Sequence, residues 1–145
     1  MRKEKVGDGV ENQDKFEQFK LTLIKGNERK YGGEAIGKTN ARLKELTEYE
    51  LEESKRLRLE FEKTLEAAFH TGDPAGELAQ KACDLHRKWL CIYNPRYDRD
   101  YHLRIGDLYV ANERFKANCD KLAAGCAGFL RDAINSYWKR AAYLR

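Results

Sequence analysis

Apolar side chains recur along almost the whole chain at three- and four-residue steps, the period of one helix face, and no segment reads as a convincing strand. From about Asn12 a first pattern places Phe16, Phe19, Leu23 and Ile24 on one side until Gly26, with a second short piece or a continuation to Tyr31. Gly32-Gly33 and Gly37 predict breaks, and Thr39 or Asn40 is placed to cap a helix carrying Leu43 and Leu46. Thr47-Glu-Tyr-Glu50 has the form of a capping box, in which the threonine oxygen takes the third helical amide and the glutamate reaches back to the cap amide. It predicts a long helix to about Phe69, with Leu51, Leu57, Phe61, Leu65, Ala68 and Phe69 on its packed face, closed by Thr71-Gly72. Asp73-Pro74 predicts a cap and a first-turn proline for the next helix, which runs through Leu78, Ala82, Leu85, Trp89 and Tyr93 until Pro95 stops it. Asp98 is the cap expected for a helix with Tyr101, Ile105, Leu108 and Tyr109, and Asn112 opens a further turn with Phe115 and Cys119 inside. A last helix, roughly Leu122 to Tyr143, is expected to bury Phe129, Leu130, Ala133, Ile134, Tyr137, Trp138 and Ala141. The economical architecture is all-α, a compact bundle of five to seven helices. Residues 1–11, with two glycines and alternating charges, are expected as a flexible leader, and residues 12–145 as a single domain.

Composition narrows the function classes. A chain of 145 residues is long enough to bury most of its apolar surface without metal or disulfide staples. No stretch approaches the roughly 18 apolar residues of a membrane span, and no apolar signal segment follows the charged start, so the expectation is a cytoplasmic protein with no membrane partner. The net charge of +4 falls entirely in the second half, around Arg87, Lys88, Arg96, Arg99 and Arg104. That field is too sparse for phosphate-backbone binding, and no helix-turn-helix, zinc-finger or RNP pattern accompanies it, so direct nucleic-acid binding by this chain is not expected. Cys83, Cys91, Cys119 and Cys126 are expected as reduced thiols.

The candidate chemistry concentrates between Trp89 and Phe115. Trp89, Tyr93, Tyr97 and Tyr101 stand at strict four-residue intervals, followed by His102, Tyr109 and Phe115, and Pro95 interrupts the run. Four-residue spacing stacks side chains on one helix face, and the proline forces the stripe to turn a corner near Asn94, where aromatic rings can wall a concavity. The competing reading is that the rings are core, as aromatic stripes at helical spacing usually are. Six of the eight tyrosines fall at or after Tyr93, and each hydroxyl needs water, a protein partner or a ligand. A zinc site from Cys83, His86, Cys91 and His102 is the alternative chemistry, but its second pair is widely spaced across a helix break. Gly32-Gly33 and Gly125-x-x-Gly128 lack the strand-turn-helix setting of a phosphate loop. No cofactor, no metal and no catalytic residue is expected, and the protein is not expected to be an enzyme.

Several motifs occur in a recognisable order: Lys15-Phe-Glu, Asn40-Ala-Arg-Leu-Lys, Gly72-Asp-Pro-Ala, His86-Arg-Lys-Trp-Leu, Gly106-Asp-Leu-Tyr-Val-Ala-Asn-Glu-Arg-Phe115, and Gly128-Phe-Leu-Arg-Asp-Ala-Ile134. From about Asn12 to Trp138 the chain resembles the TipAS antibiotic-recognition domain, the effector-binding part of TipA-type MerR-family transcriptional activators. The resemblance implies a globin-like helical arrangement without haem. It also implies a cleft for thiopeptide antibiotics such as thiostrepton, with N-terminal helices that order when ligand binds. The expected partner is therefore a bulky, hydrophobic, antibiotic-like small molecule, held by Trp89, Tyr93, Tyr97, Tyr101, His102, Tyr109 and Phe115. Two departures accompany it. Where the thiostrepton-binding prototype has cysteines, one of which attacks a dehydroalanine of the antibiotic, Tyr97 to Arg104 contains none, so non-covalent binding is expected and Cys91 on the preceding helix is not given that role. The N-terminal DNA-binding domain of such activators is also absent, so the chain is expected to be a stand-alone drug-binding protein or the effector half of a longer regulator. A helical interaction or structural module without a small-molecule ligand is the alternative, and oligomeric state stays open.

Overall fold

The computed structural model describes the backbone of residues 2–143 and the side chains of residues 13–33 and 36–139. Among the described residues there are seven helices and no strand: α1 (Arg2–Tyr31), α2 (Gly33–Glu45), α3 (Glu48–Thr71), α4 (Glu77–Tyr93), α5 (Arg99–Ala111), α6 (Glu113–Asp120) and α7 (Cys126–Tyr143). They fall into two compact units, Met1–Leu51 and Glu52–Arg145.

The first unit is a helical hairpin. α1 is continuous through Gly26, and from Arg2 onward its backbone is helical along the stretch expected as a leader, whose side chains lie outside the described set. The chain turns at Gly32, whose φ of 85° lies in the left-handed region that glycine adopts without a Cβ penalty. α2 then starts at Gly33, earlier than the sequence predicts, and runs through Gly37. Asn40 is therefore a buried cross-link and not a cap: its Oδ1 accepts from Asn27 Nδ2 at 3.0 Å and its Nδ2 donates to Ile24 O at 3.4 Å. Lys20, only 4% exposed, donates its ammonium to Lys44 O (2.8 Å) and Leu46 O (3.3 Å). A cation there meets the carbonyls that a helix end leaves without amide partners. Ile24, Tyr31, Ile36, Leu43, Leu46 and Leu51 form the buried apolar set of this unit.

The capping box predicted at Thr47 is present with both bonds: Glu50 N donates to Thr47 Oγ1 (3.1 Å) and Thr47 N donates to Glu50 Oε1 (3.0 Å). In the second unit Leu65, Ala68, Ala79, Ala82, Cys83, Cys126, Leu130, Ala133 and Ile134 make a fully buried core from α3, α4 and α7. α5 lies close to α7 because Gly106 has no side chain: a Cβ there would stand 3.2 Å from Ile134 Cδ1 and 3.5 Å from Arg131 Cα. Two boundaries differ from the pattern reading. Asp73 spends its Oδ1 on the amide of Ala75 (3.0 Å) and its carbonyl on Gly76, making a turn of Asp73-Pro74, so α4 opens at Glu77. The chain reverses between α6 and α7, so α7 begins at Cys126 and not at Leu122, and Asp120 Oδ1 accepts from Ala127 N at 2.9 Å. Asp98 and Asn112 cap α5 and α6 as predicted, accepting from Tyr101 N (2.8 Å) and from Arg114 N (3.0 Å) and Phe115 N (3.2 Å).

Candidate functional site

The aromatic run does turn at Asn94-Pro95, and the corner distributes it over three helices and a connection. Trp89 and Tyr93 lie on α4, Tyr97 on the Asn94–Asp98 connection, Tyr101, His102 and Tyr109 on α5, and Phe115 on α6. All are half-buried except His102, which is 0% exposed. Trp89 and Tyr93 pack at 4.9 Å between ring centroids, and the Tyr93 hydroxyl pairs with Ser54 Oγ of α3 at 2.7 Å. The Arg58 guanidinium stands over the Trp89 ring at 6.0 Å, while the Trp89 indole N–H is buried without a hydrogen-bond partner among the described residues. Tyr97 meets Tyr101 edge-on at 6.1 Å, and Tyr109 stacks on Phe115 at 5.8 Å. The seven candidates thus form three small groups and not one continuous wall.

What joins the groups is a pair of buried imidazoles. His86, 1% exposed, stacks on Phe61 (4.9 Å) and Trp89 (6.2 Å), and its Nδ1 lies 2.9 Å from His102 Nε2. Its Nε2 lies 3.2 Å from the Tyr109 hydroxyl. On the far side His102 Nδ1 receives the Trp138 indole N–H at 3.0 Å and lies 2.8 Å from the Tyr97 hydroxyl. The proton order follows from one atom. An indole nitrogen only donates, so His102 Nδ1 must be an unprotonated acceptor and Tyr97 must donate to it as well. His102 then carries its proton on Nε2 and donates to His86 Nδ1, which leaves His86 Nε2–H to donate to the Tyr109 oxygen. Both rings are neutral in this arrangement, since a second proton on His102 would face the Trp138 N–H. Burial and the mutual field agree: His102 is pushed down to about 4 by burial and by the Arg87 charge, and His86 is held well below its usual value by burial and by His102.

Beside this network Arg87 and Asp84 pair at 3.0 Å, and the Tyr137 hydroxyl joins them, donating to Asp84 Oδ1 at 3.1 Å and accepting from Arg87 Nε at 3.2 Å. Asp84 is held below the ordinary carboxylate value by its bonds to Arg87 and Tyr137, which outweigh desolvation. Burial pushes Cys83 and Cys119 up to about 12 and Cys126 to about 11, and raises Cys91 as well. Among the described residues no three His, Cys, Asp or Glu side chains are grouped to hold a metal ion. Cys83, Cys91, His86 and His102 do not form the zinc cluster considered from sequence, because the two imidazoles spend their facing nitrogens on each other.

The model of the TipAS antibiotic-recognition domain matches residues 26–137. The chain belongs to the TipAS family. Two curated relatives, the HTH-type transcriptional activators TipA of Streptomyces coelicolor and of Streptomyces lividans, are each 39% identical over 71 residues. That alignment covers 47% of this chain and 27% of each relative, so the chain spans about a quarter of the length of the curated relatives it matches. No solved structure matches the chain.

In this TipAS domain the matched span holds all seven aromatic and histidine candidates and both members of the imidazole pair, and ends one residue before Trp138. The spacing by itself offers His86 as a partner of Cys83 for metal or nucleophile chemistry and Trp138 as core. A signal for His86 beside the aromatic rings was present: His86, Trp89 and Tyr93 follow each other at steps of three and four on α4, so His86 shares the aromatic face. No signal of that kind exists for Trp138, which comes from a helix thirty-six residues further along the chain than His102.

Proposed function

We propose that this TipAS domain recognises a bulky, hydrophobic, antibiotic-like small molecule, of the thiopeptide kind that the family resemblance implies. It binds non-covalently through the half-buried rings of Trp89, Tyr93, Tyr97, Tyr101, Tyr109 and Phe115. The observation that carries this reading is the antibiotic-recognition family match across residues 26–137. Raised thiol pKa values support non-covalent capture, because the thiolate and not the thiol is the attacking species. His102, being fully buried, serves binding through the ring positions of its neighbours. The domain performs no reaction. It serves either as the effector half of a MerR-type transcriptional regulator or as a stand-alone cytoplasmic drug-binding protein, and the TipA names of the two curated relatives favour the first. Among the described residues no helix is long and apolar enough to cross a membrane.

Titration with thiostrepton and a panel of other hydrophobic antibiotics tests the reading. Bound ligand is expected to change Trp89 and Trp138 fluorescence and to protect amides of α1 and α2 from exchange, as segment ordering on binding requires. Absence of binding across the panel, with no protection anywhere, overturns it.

A further inference from the structure

The lone pair of His102 Nδ1 is asked to serve two donors at once, the Trp138 indole N–H at 3.0 Å and the Tyr97 hydroxyl at 2.8 Å. An unprotonated imidazole nitrogen has a single in-plane lone pair, so the two bonds share it and each is weaker than a solitary one would be. The two donors are not equivalent. Trp138 packs against the buried core of the second unit and its N–H has no other use in the network. Tyr97 stands on a connection whose neighbours Pro95, Arg96 and Asp98 are exposed, and its hydroxyl turns about a single bond. If the Tyr97 ring pivots so that its oxygen leaves the 2.8 Å contact together with its proton, Nδ1 keeps the Trp138 bond, His102 keeps its tautomer, and the bond onward to His86 is undisturbed. Removing a hydroxyl from a solitary buried acceptor would leave that acceptor unsatisfied at substantial cost. Here that cost is largely absent.

We propose that Tyr97 is a transferable hydrogen-bond donor: its O–H leaves the shared bond and donates to a ligand carbonyl oxygen, while Trp138 holds His102 in place. This rests on the reading of the site as ligand-binding and adds the chemistry of one contact, an acceptor on the ligand opposite Tyr97. It also makes Trp138 a positioning residue whose value to binding is expressed only through Tyr97. A ligand that instead donated to the Tyr97 oxygen would leave the Tyr97–His102 bond intact and would be indifferent to the Trp138 indole.

A double-mutant cycle read by calorimetry with thiostrepton tests this. Y97F is expected to weaken binding about tenfold, the loss of one hydrogen bond. W138F is expected to weaken it about fivefold, because Tyr97 becomes the sole donor to His102, yet to change affinity less than twofold when Tyr97 is already phenylalanine. Losses that simply multiply, or a Y97F variant that binds as well as the parent, overturn the proposal. A second arm uses no ligand: the urea midpoint is expected to fall further in Y97F/W138F than the two single shifts combined, and additive shifts count equally against it. Should W138F not fold, the parent protein still decides. Its Trp138 indole proton is expected to move downfield on adding thiostrepton, and not in Y97F; an unchanged or upfield position overturns the transfer. A parent protein that binds no antibiotic at all sinks the ligand-binding reading, and this inference with it, whereas additive unliganded shifts sink the inference alone.

Discussion

His102 and His86 are neutral rings sealed in a network that has no place for a second proton, and this sets how the fold responds to acid. Unfolded histidine binds its proton near pH 6.5, whereas His102 in the folded chain does so only at about 4. As pH falls below 6.5 the unfolded state takes up protons first, so the stability present at neutral pH is lost progressively down to about 4. His102 alone accounts for a loss on the order of 2 kcal/mol by pH 5, and His86 adds to it in the same direction. Urea midpoints measured between pH 7.5 and 5 are expected to fall steeply, and H102N is expected to flatten that dependence while lowering the midpoint at pH 7.5. Lys20 is another buried polar residue with a defined task. K20M leaves two helix-end carbonyls without their donor and is expected to cost about 1–3 kcal/mol, seen as lost exchange protection at the end of α2.

At the scale of elements, the helix starts at Glu48, Arg99 and Glu113 are written in short polar motifs, and these are the boundaries that pattern reading places well. Thr47→Ala removes the acceptor of the Glu50 amide and is expected to destabilise by about 1 kcal/mol in denaturant unfolding, without changing ligand affinity. The α5–α7 contact offers a sharper test. G106A gains helix propensity of up to about 1 kcal/mol but sets a methyl 3.2 Å from a terminal side-chain atom that can give way, so the two effects nearly cancel. G106V adds volume toward the Arg131 backbone, which cannot move as freely, and is expected to cost about 1–3 kcal/mol by the same measurement. Two helix starts, those of α2 and α4, differ from the pattern because a polar residue is claimed by something other than a cap. Asn40 bonds across to α1, and Asp73 closes a turn of its own before α4.

For the whole molecule, the buried apolar set of the first unit is, among the described residues, six side chains from α1, α2, the turn after α2 and the first turn of α3, whereas the second unit encloses a core of nine drawn from α3, α4 and α7. Amides of α1 and α2 are therefore expected to exchange faster than those of α4 and α7 in the absence of ligand, and hydrogen exchange followed by residue checks it. The helical class, the capping box, the corner at Pro95 and the family were all legible in the order of residues, because helix period, caps and proline act over a few neighbouring positions. The sequence by itself thus determined that the protein is all-helical and where its aromatic residues crowd. Only the tertiary structure decided which rings meet. Trp138 reaches His102 across 36 positions and Tyr137 reaches Asp84 across 53, and no local periodicity encodes a contact made when distant helices pack. The direction of every proton in the imidazole network depends on one such contact, that of a donor-only indole with His102, so the character of the site was settled by packing and not by spacing.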